Sequence, residues 1–366
     1  MKPQDVVFMQ RALTLAAKGK GRVSPNPCVG CVIVRNGEII AEGFHSLFGG
    51  PHAEIAALRQ AGGRARGADM YVTLEPCTHW GKTGPCAPEV VRAGLRRVHI
   101  AMLDPFAKVA GRGAAALRRA GIKVTIGTEK KAAAHLNRAF LTWVTRRRPH
   151  VVYKAAMTLD GKTASRTSNS RWITGVPARE LVHHLRSDSD AVLVGTRTAL
   201  ADNPNLTSHG AGRTPLRVVI DRTLKLPLSL QLFDTRLART VVIAGMRASG
   251  RRMDELAKQG VRVLQVKEKA GVIDLKSALR ELAKLGVSQL LLEGGGETSW
   301  NFVKNDLVDE LIFFVAPMLV GGRAAPTSVD GLGYPKLAVA RRFSILSTAR
   351  VGDDLMIHAL VRRGKA

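Results

Sequence analysis

Pro51-His52-Ala53-Glu54 and, beyond the strand-like run Met70 to Leu74, Pro76-Cys77-Thr78-His79-Trp80-Gly81-Lys82-Thr83-Gly84-Pro85-Cys86 decide how the first part of this chain is read. Together they offer one imidazole and two thiolates. A catalytic zinc site takes three protein ligands and keeps its fourth position for water, so His52, Cys77 and Cys86 are the predicted ligand set. Glu54, two residues from His52 at the start of a predicted helix, need not touch metal. It is placed to take the water's proton and pass it to a ring nitrogen and then to a departing amine. A His-x-Glu alone recurs by chance, and a Pro-Cys alone is a turn before a buried thiol. In this order and within this span, the combination points to zinc-dependent hydrolytic deamination of a nitrogenous ring.

The four cysteines all fall between positions 28 and 86, which excludes a disulfide scaffold for a chain of 366 residues. A structural site built from Cys28, Cys31, Cys77 and Cys86 is the competing use. If Cys28 extends the apolar strand Cys31-Val32-Ile33-Val34, the two side chains face opposite ways, so both are expected as small buried hydrophobes. His79 is left unassigned between substrate contact and loop packing.

Working outward, 366 residues call for two domains, and an apolar fraction of 45% with 23% charged residues fits a folded, water-exposed protein. No apolar run reaches the length of a membrane span, and the start, Met1-Lys2-Pro3-Gln4-Asp5, leads into an amphipathic stretch instead of a signal region. A cytoplasmic enzyme is expected. The net charge of +27 is spread evenly: 23 basic and 9 acidic residues up to position 147, and 33 and 20 beyond it. With aromatics at only 5%, the charge reads as a surface that recruits phosphorylated small molecules, with at most non-specific attraction for nucleic acid.

The first part alternates strands and helices: a hairpin around Asn36-Gly37, helix 53–60, strand 70–74, helix 88–93, strand 97–102, helix 114–120, strand 123–126 and one helix from Ala132 to Thr145. Arg146-Arg147-Arg148-Pro149 breaks the pattern, which sets the domains at 1–147 and 148–366. The second part repeats the alternation, with strands at 151–156, 191–194, 217–220, 240–244, 261–266, 289–292 and 311–315, so a mostly parallel α/β architecture is expected. Strand 289–292 runs into Glu293-Gly294-Gly295-Gly296 and then a helix. Glycines there permit close backbone approach, and a helix N-terminus offers N–H groups to phosphate.

Ser24-Pro25-Asn26-Pro27-Cys28-Val29-Gly30-Cys31, Pro51-His52-Ala53-Glu54 and the eight-residue loop between Cys77 and Cys86 closely resemble the bifunctional deaminase/reductase family of riboflavin biosynthesis. The likeness continues through Lys154, Thr158-Leu159-Asp160-Gly161-Lys162-Thr163-Ala164, Trp172-Ile173-Thr174 and Leu200-Ala201-Asp202-Asn203-Pro204, and so covers essentially the whole chain. The resemblance implies a cytidine-deaminase-like N-terminal domain and a dihydrofolate-reductase-like C-terminal domain. It implies zinc and NADPH as cofactors and a phosphorylated pyrimidine (2,5-diamino-6-ribosylamino-4(3H)-pyrimidinone 5′-phosphate) as substrate; a homo-oligomer is expected, though the sequence does not reveal the oligomeric state. It places the metal on His52, Cys77 and Cys86, the proton shuttle on Glu54 and a substrate contact on Asn26. For the nicotinamide cofactor it implies Ala156, Trp172, Thr198, Asp202, Arg222 and the run Gly295, Gly296, Glu297, Thr298, Ser299, Trp300 and Asn301. On the substrate side it implies Ser170, Arg186, Leu206, His209 and Glu293. Two positions depart from the family pattern. His209 stands where relatives often have arginine, leaving Arg213 as a substitute phosphate contact, and Arg222 stands where a small hydroxyl residue is common. An RNA-editing enzyme with a basic second module is the alternative, as is a deaminase whose second half has lost activity.

Overall fold

In the computed structural model, residues 3–106 and 109–362 are described, and the chain divides into two compact units, Met1–Arg147 and Arg148–Ala366. The first unit is built on a five-stranded sheet in the order Glu38–Phe44, Gly30–Arg35, Asp69–Val72, Arg97–Ile100 and Lys123–Ile126. The first two junctions are antiparallel and the last two parallel. The run Cys31-Val32-Ile33-Val34 is buried throughout and seeds a core that includes Met9, Ala57, Met70, Val98 and Leu117. Helix Ala53–Ala61 lies so close to strand Glu38–Phe44 that a Cβ on Gly43 would stand 2.3 Å from the Ala53 carbonyl. Only glycine admits this approach, and it seats the helix that begins just after His52.

One sequence expectation in this unit is corrected. The span 132–145 is two helices, Lys130–Leu136 and Arg138–Arg146, broken at Asn137. The Asn137 amide is claimed by another segment: its Oδ1 accepts from the Cys28 N–H at 2.8 Å and its Nδ2 donates to the Cys28 carbonyl at 3.0 Å. That paired bond draws the residue out of helical geometry, a competition the local pattern does not reveal.

The second unit carries a nine-stranded sheet in the order Arg262–Val266, Thr240–Gly245, Leu216–Ile220, Ala191–Gly195, Gln289–Leu292, His150–Thr158, Glu310–Ala316, Asp354–Val361 and Phe343–Val351. The first seven strands are parallel, and inside the edge strand Arg262–Val266 they are largely buried, as near-continuous Val/Leu/Ile runs require. The last two form an antiparallel edge hairpin. Strand order reverses beside Gln289–Leu292, and in open α/β sheets the crevice outside the carboxyl ends of strands at such a reversal is where ligands bind. No helix among the described residues is long and apolar enough to cross a membrane.

Candidate functional sites

The loop after strand Asp69–Val72 and the N-termini of two helices bring the metal-ligand candidates together. His52 caps helix Ala53–Ala61 and Cys86 opens helix Cys86–Arg92, while Cys77 lies on the loop between. The ligating atoms of His52, Cys77 and Cys86 all lie within 4.8 Å of one another. His52 Nδ1 is 3.1 Å from Cys86 Sγ and 3.6 Å from Cys77 Sγ, and its Nε2 meets Thr83 Oγ1 at 3.2 Å. That outer contact leaves Nδ1 as the inward-facing nitrogen, the way a neighbouring donor or acceptor commonly orients a ligating imidazole. Cys77 is drawn toward the thiolate by its hydrogen bond with Cys86, and Cys86 is pushed the other way by the same bond, so the thiol pair shares one proton unevenly. One imidazole and two thiols with one thiolate already favoured is a donor set that fits zinc.

Glu54 is only 4% exposed, and burial raises its carboxyl above the ordinary range. A carboxyl whose proton affinity is raised by burial is suited to taking and returning a proton. Cys31 is fully buried beside Glu54's charge, with its thiol pushed well up by desolvation, while Cys28 is buried against Ala16 and Val23. Neither belongs to the metal-ligand cluster found among the described residues. Single Cys28→Ser and Cys31→Ser variants are therefore expected to retain close to one zinc, with Cys77→Ser and Cys86→Ser losing it, as read by metal analysis of the purified protein.

Asn26 is tied to a residue that sequence reasoning missed. His45 Nδ1 bonds the Pro51 carbonyl at 3.0 Å, its Nε2 meets Asn26 Nδ2 at 3.2 Å, and its ring stands edge-on to His52 with centroids 5.4 Å apart. Donating from Nδ1 leaves Nε2 to accept from Asn26, and burial lowers the ring's pKa, so a neutral imidazole fixes the Asn26 amide beside the ligand cluster. Glu75 is likewise buried: it accepts from the N–H groups of Asp104, Gly111 and Ala114, pinning the loop that leads to Cys77. His79 packs near Phe106 with Nδ1 buried and without a partner.

In the second unit a cavity of about 970 Å³ opens at the carboxyl ends of the parallel strands, lined by Ala156, Gly195, Ile220 and Glu293 among others. It lies at the upper end of the size range of small-molecule sites. Trp172, Thr198, Asp202, Gly295, Gly296, Glu297 and Thr298 line it, as do Ser170, Arg186, Leu206 and His209. Gly195 is needed because a Cβ there would stand 2.2 Å from Thr298 Oγ1. The Gly295 N–H donates to Thr198 Oγ1 at 3.0 Å, which closes the glycine turn onto helix Thr196–Asp202.

The remaining cofactor candidates do not line it. Helix Gly296–Lys304 turns Ser299 and Trp300 inward to the core, Ser299 bonding the Gly294 carbonyl and Trp300 packing on Tyr334, and Asn301 bonds back to Glu297. Arg222 pairs with Glu268 at 3.1 Å, and Arg213 pairs with Asp190 at 2.9 Å. The substitute role held open for Arg213 is thus answered by an ion pair away from the cavity lining.

Glu293 is the electrostatic centre of the cavity. Arg186 grips it with a paired contact at 2.7 and 3.0 Å, and Lys154 Nζ stands 2.9 Å from Oε2. Two cations hold this carboxyl, its side chain 7% exposed, well below the usual carboxylate range against its desolvation. Beside them His183 and His209 meet with ring centroids 4.3 Å apart, and burial, with His209 and Arg186 adding, pushes His183 down to about 4. The pair is therefore neutral at pH 7. At the mouth, Arg179 lies 4.3 Å over the Trp172 ring.

Residues 2–102 match the family model for the cytidine and deoxycytidylate deaminase zinc-binding region, and residues 149–357 match that for the RibD C-terminal domain. A riboflavin biosynthesis protein RibD from Aquifex aeolicus is 39% identical over 355 residues, covering 96% of this chain and 97% of the relative. The structure of Acinetobacter baumannii RibD is similar with a TM-score of 0.89 at 38% identity, covering 98% of this chain and 99% of that one. A Thermotoga maritima diaminohydroxyphosphoribosylaminopyrimidine deaminase/5-amino-6-(5-phosphoribosylamino)uracil reductase is similar with a TM-score of 0.86 at 35% identity, over the same shares of the two chains. Two half-chain matches in the right order, joined by relatives that align nearly end to end, mean that this chain belongs to the RibD family of riboflavin-biosynthesis proteins.

Proposed function

We propose that the first unit hydrolytically deaminates 2,5-diamino-6-ribosylamino-4(3H)-pyrimidinone 5′-phosphate and that the second reduces the ribose of the product to ribityl with NADPH. The observation that carries this reading is the presence in one chain of a His52/Cys77/Cys86 cluster beside buried Glu54 and of a large cavity centred on Glu293. Zinc, when bound, lowers the pKa of its water toward neutrality and so makes a hydroxide available. His52, Cys77 and Cys86 hold it, and Thr83 keeps the His52 ring turned. Glu54 takes a proton from the attacking water and returns it to the ring nitrogen. It then takes the remaining proton of the added hydroxyl and delivers it to the amino group as the carbonyl forms and the C–N bond breaks, so that one water enters and one ammonia leaves. Asn26, held by His45, orients the ring. Asp104, raised to about 6 by burial, stands on the loop pinned by Glu75.

In the second unit NADPH supplies hydride when bound. The glycine turn Gly294-Gly295-Gly296 and the start of helix Gly296–Lys304 fit its phosphates, with Thr198, Thr298, Asp202 and Trp172 along the same wall. Lys154 and Arg186 place two cations against one carboxylate, which leaves a net positive field for the phosphorylated sugar. With Arg222 occupied by Glu268, Arg222→Ala is expected to change the Michaelis constants for NADPH and NADH alike, by no more than about twofold. A rise of about tenfold confined to NADPH would instead give Arg222 the 2′-phosphate.

Cysteines kept as thiols for a metal suit a reducing compartment, which supports the cytoplasmic reading. The edge strand Phe343–Val351, with Ile345 65% exposed, supports a homo-oligomer. The deciding experiment supplies the diaminopyrimidinone phosphate to the zinc-loaded protein and follows ammonia release and NADPH oxidation. Ammonia without oxidation would reduce the chain to a deaminase, and neither would end the reading.

A further inference from the structure

Strand Leu216–Ile220 reads Leu-Arg-Val-Val-Ile and lies between two parallel neighbours, where every side chain should be apolar. Arg217 is nevertheless fully buried, at 0% exposure. Its guanidinium donates to main-chain carbonyls from two loops: to Gln231 at 2.9 Å, Asp234 at 2.8 Å, Ala238 at 2.7 Å and, more loosely, Asn205 at 3.4 Å. The neighbouring carboxylate of Asp234 is itself gripped by Arg236. A buried guanidinium held by carbonyl dipoles is an expensive way to fill a strand position that valine would fill.

The loops it ties are walls of the cavity. Asn203, Asn205, Leu206 and Gln231 all line it. The segment between them is bent in an unusual way, with Asn203 at φ 40° and Leu206 at φ 53°. Leucine rarely adopts the left-handed region, and such residues persist only where surrounding contacts overdetermine them. Those contacts can be followed. Asn203 Oδ1 accepts from the Gln231 N–H at 2.8 Å, so the residue clasped by Asn203 is also held by Arg217 through its carbonyl. Asn205 Oδ1 accepts from the Thr207 N–H at 3.2 Å, and the Thr207 carbonyl accepts from Arg186 Nη1 at 3.1 Å. Arg186 in turn grips Glu293.

We propose that Arg217 is a positioning residue for the reductase cavity: from inside the sheet it fixes the strained 203–207 loop, and through Thr207 it sets where Arg186 stands. It touches no ligand and acts through the loop. The inference rests on the reductase reading given above.

The test compares Arg217→Lys, which keeps the charge but cannot reach all four carbonyls, with Asn203→Gly. The latter keeps left-handed backbone accessible and removes the clasp on Gln231 together with one side chain of the cavity wall. Wild-type NADPH oxidation is measured first; its absence would strike at the reductase reading and not at Arg217. Given a competent wild type, both variants are expected to raise the Michaelis constant of the reductase for its phosphorylated substrate by about tenfold, with kcat within about threefold, because ground-state placement is what is lost. Ammonia release by the first unit is the internal control and should be unchanged. Hydrogen exchange should quicken across residues 203–208 while strands Ala191–Gly195 and Gln289–Leu292 stay protected. Unchanged Michaelis constants with unchanged loop exchange in both variants would overturn the proposal, as would exchange that quickens uniformly through the second unit. If Arg217→Lys does not fold, Arg217→Gln takes its place and is judged by the same two readouts.

Discussion

Glu54→Gln is expected to keep its zinc and to lose deamination by about 10²- to 10⁴-fold, the range that a positioned general acid–base group contributes. The amide is nearly isosteric and sits in the same buried pocket beside His52, so the ligand cluster should be undisturbed. What it cannot do is accept the water's proton, and every later transfer depends on that one. The raised pKa sets the direction of the pH profile. Deamination by the wild type should fall on the acid side as Glu54 becomes protonated, at a pH above that of an ordinary glutamate, because burial favours the neutral form. Metal content, ammonia release and NADPH oxidation on supplied deaminated intermediate should be measured on one preparation. A variant that still deaminates at near-native rate would remove Glu54 from the chemistry, and one that loses zinc would make it structural.

The clustering of His52, Cys77 and Cys86 was legible in the sequence, because the three come from two short segments whose residue types are those zinc takes. Its supports were less so. Nothing marks His45 as the holder of Asn26, since the bond joins residues 19 apart and depends on the Pro51 carbonyl fixing the other ring nitrogen. Asn137 looks like an ordinary helix residue until Cys28, 109 positions away, claims its amide. The second unit shows the same division. The apolar runs that become its seven parallel strands stand out, but the edge hairpin Phe343–Val351 and Asp354–Val361 does not. Exposed Ile345, Leu346, Ser347 and Thr348 in succession break any alternation, and the register shifts there. The glycine loop was visible as a cradle, yet a sequence run such as 295–301 cannot all face one ligand once a helix begins at Gly296. Helical rotation carries Ser299, Trp300 and Asn301 away, and only the first turn stays on the cavity wall. Charges were the hardest to place. Arg213 and Arg222 each have a carboxylate partner from another strand or loop, and no local pattern announces either pairing.

Glu293 is where the second unit should be most sensitive. Glu293→Ala leaves Lys154 and Arg186 facing each other across the cavity wall without the carboxylate that both now contact. Removing one partner of a buried, hydrogen-bonded charge cluster typically costs about 3 to 5 kcal/mol, mostly for the charges left behind. The second unit should therefore melt at markedly lower temperature, and reduction should fall by on the order of 10²-fold or more as Arg186 and the loop at Thr207 lose their anchor. Deamination should persist, since every deaminase residue lies in the first unit. The pH dependence gives an independent check. A carboxyl whose folded pKa is depressed contributes stability that is present above its unfolded value, about 4.3, and is lost as pH falls through the folded value. With Glu293 held far below that range, wild-type stability should decline from about pH 4 downward as the unfolded chain takes up the proton first. The Ala variant lacks this contribution at neutral pH and should show a shallower acid limb. Denaturation curves for the second unit at pH 7 and pH 3 measure both. A variant as stable as wild type at pH 7 would mean that Lys154 and Arg186 find other partners and that Glu293 is not the centre of the cavity's charge balance.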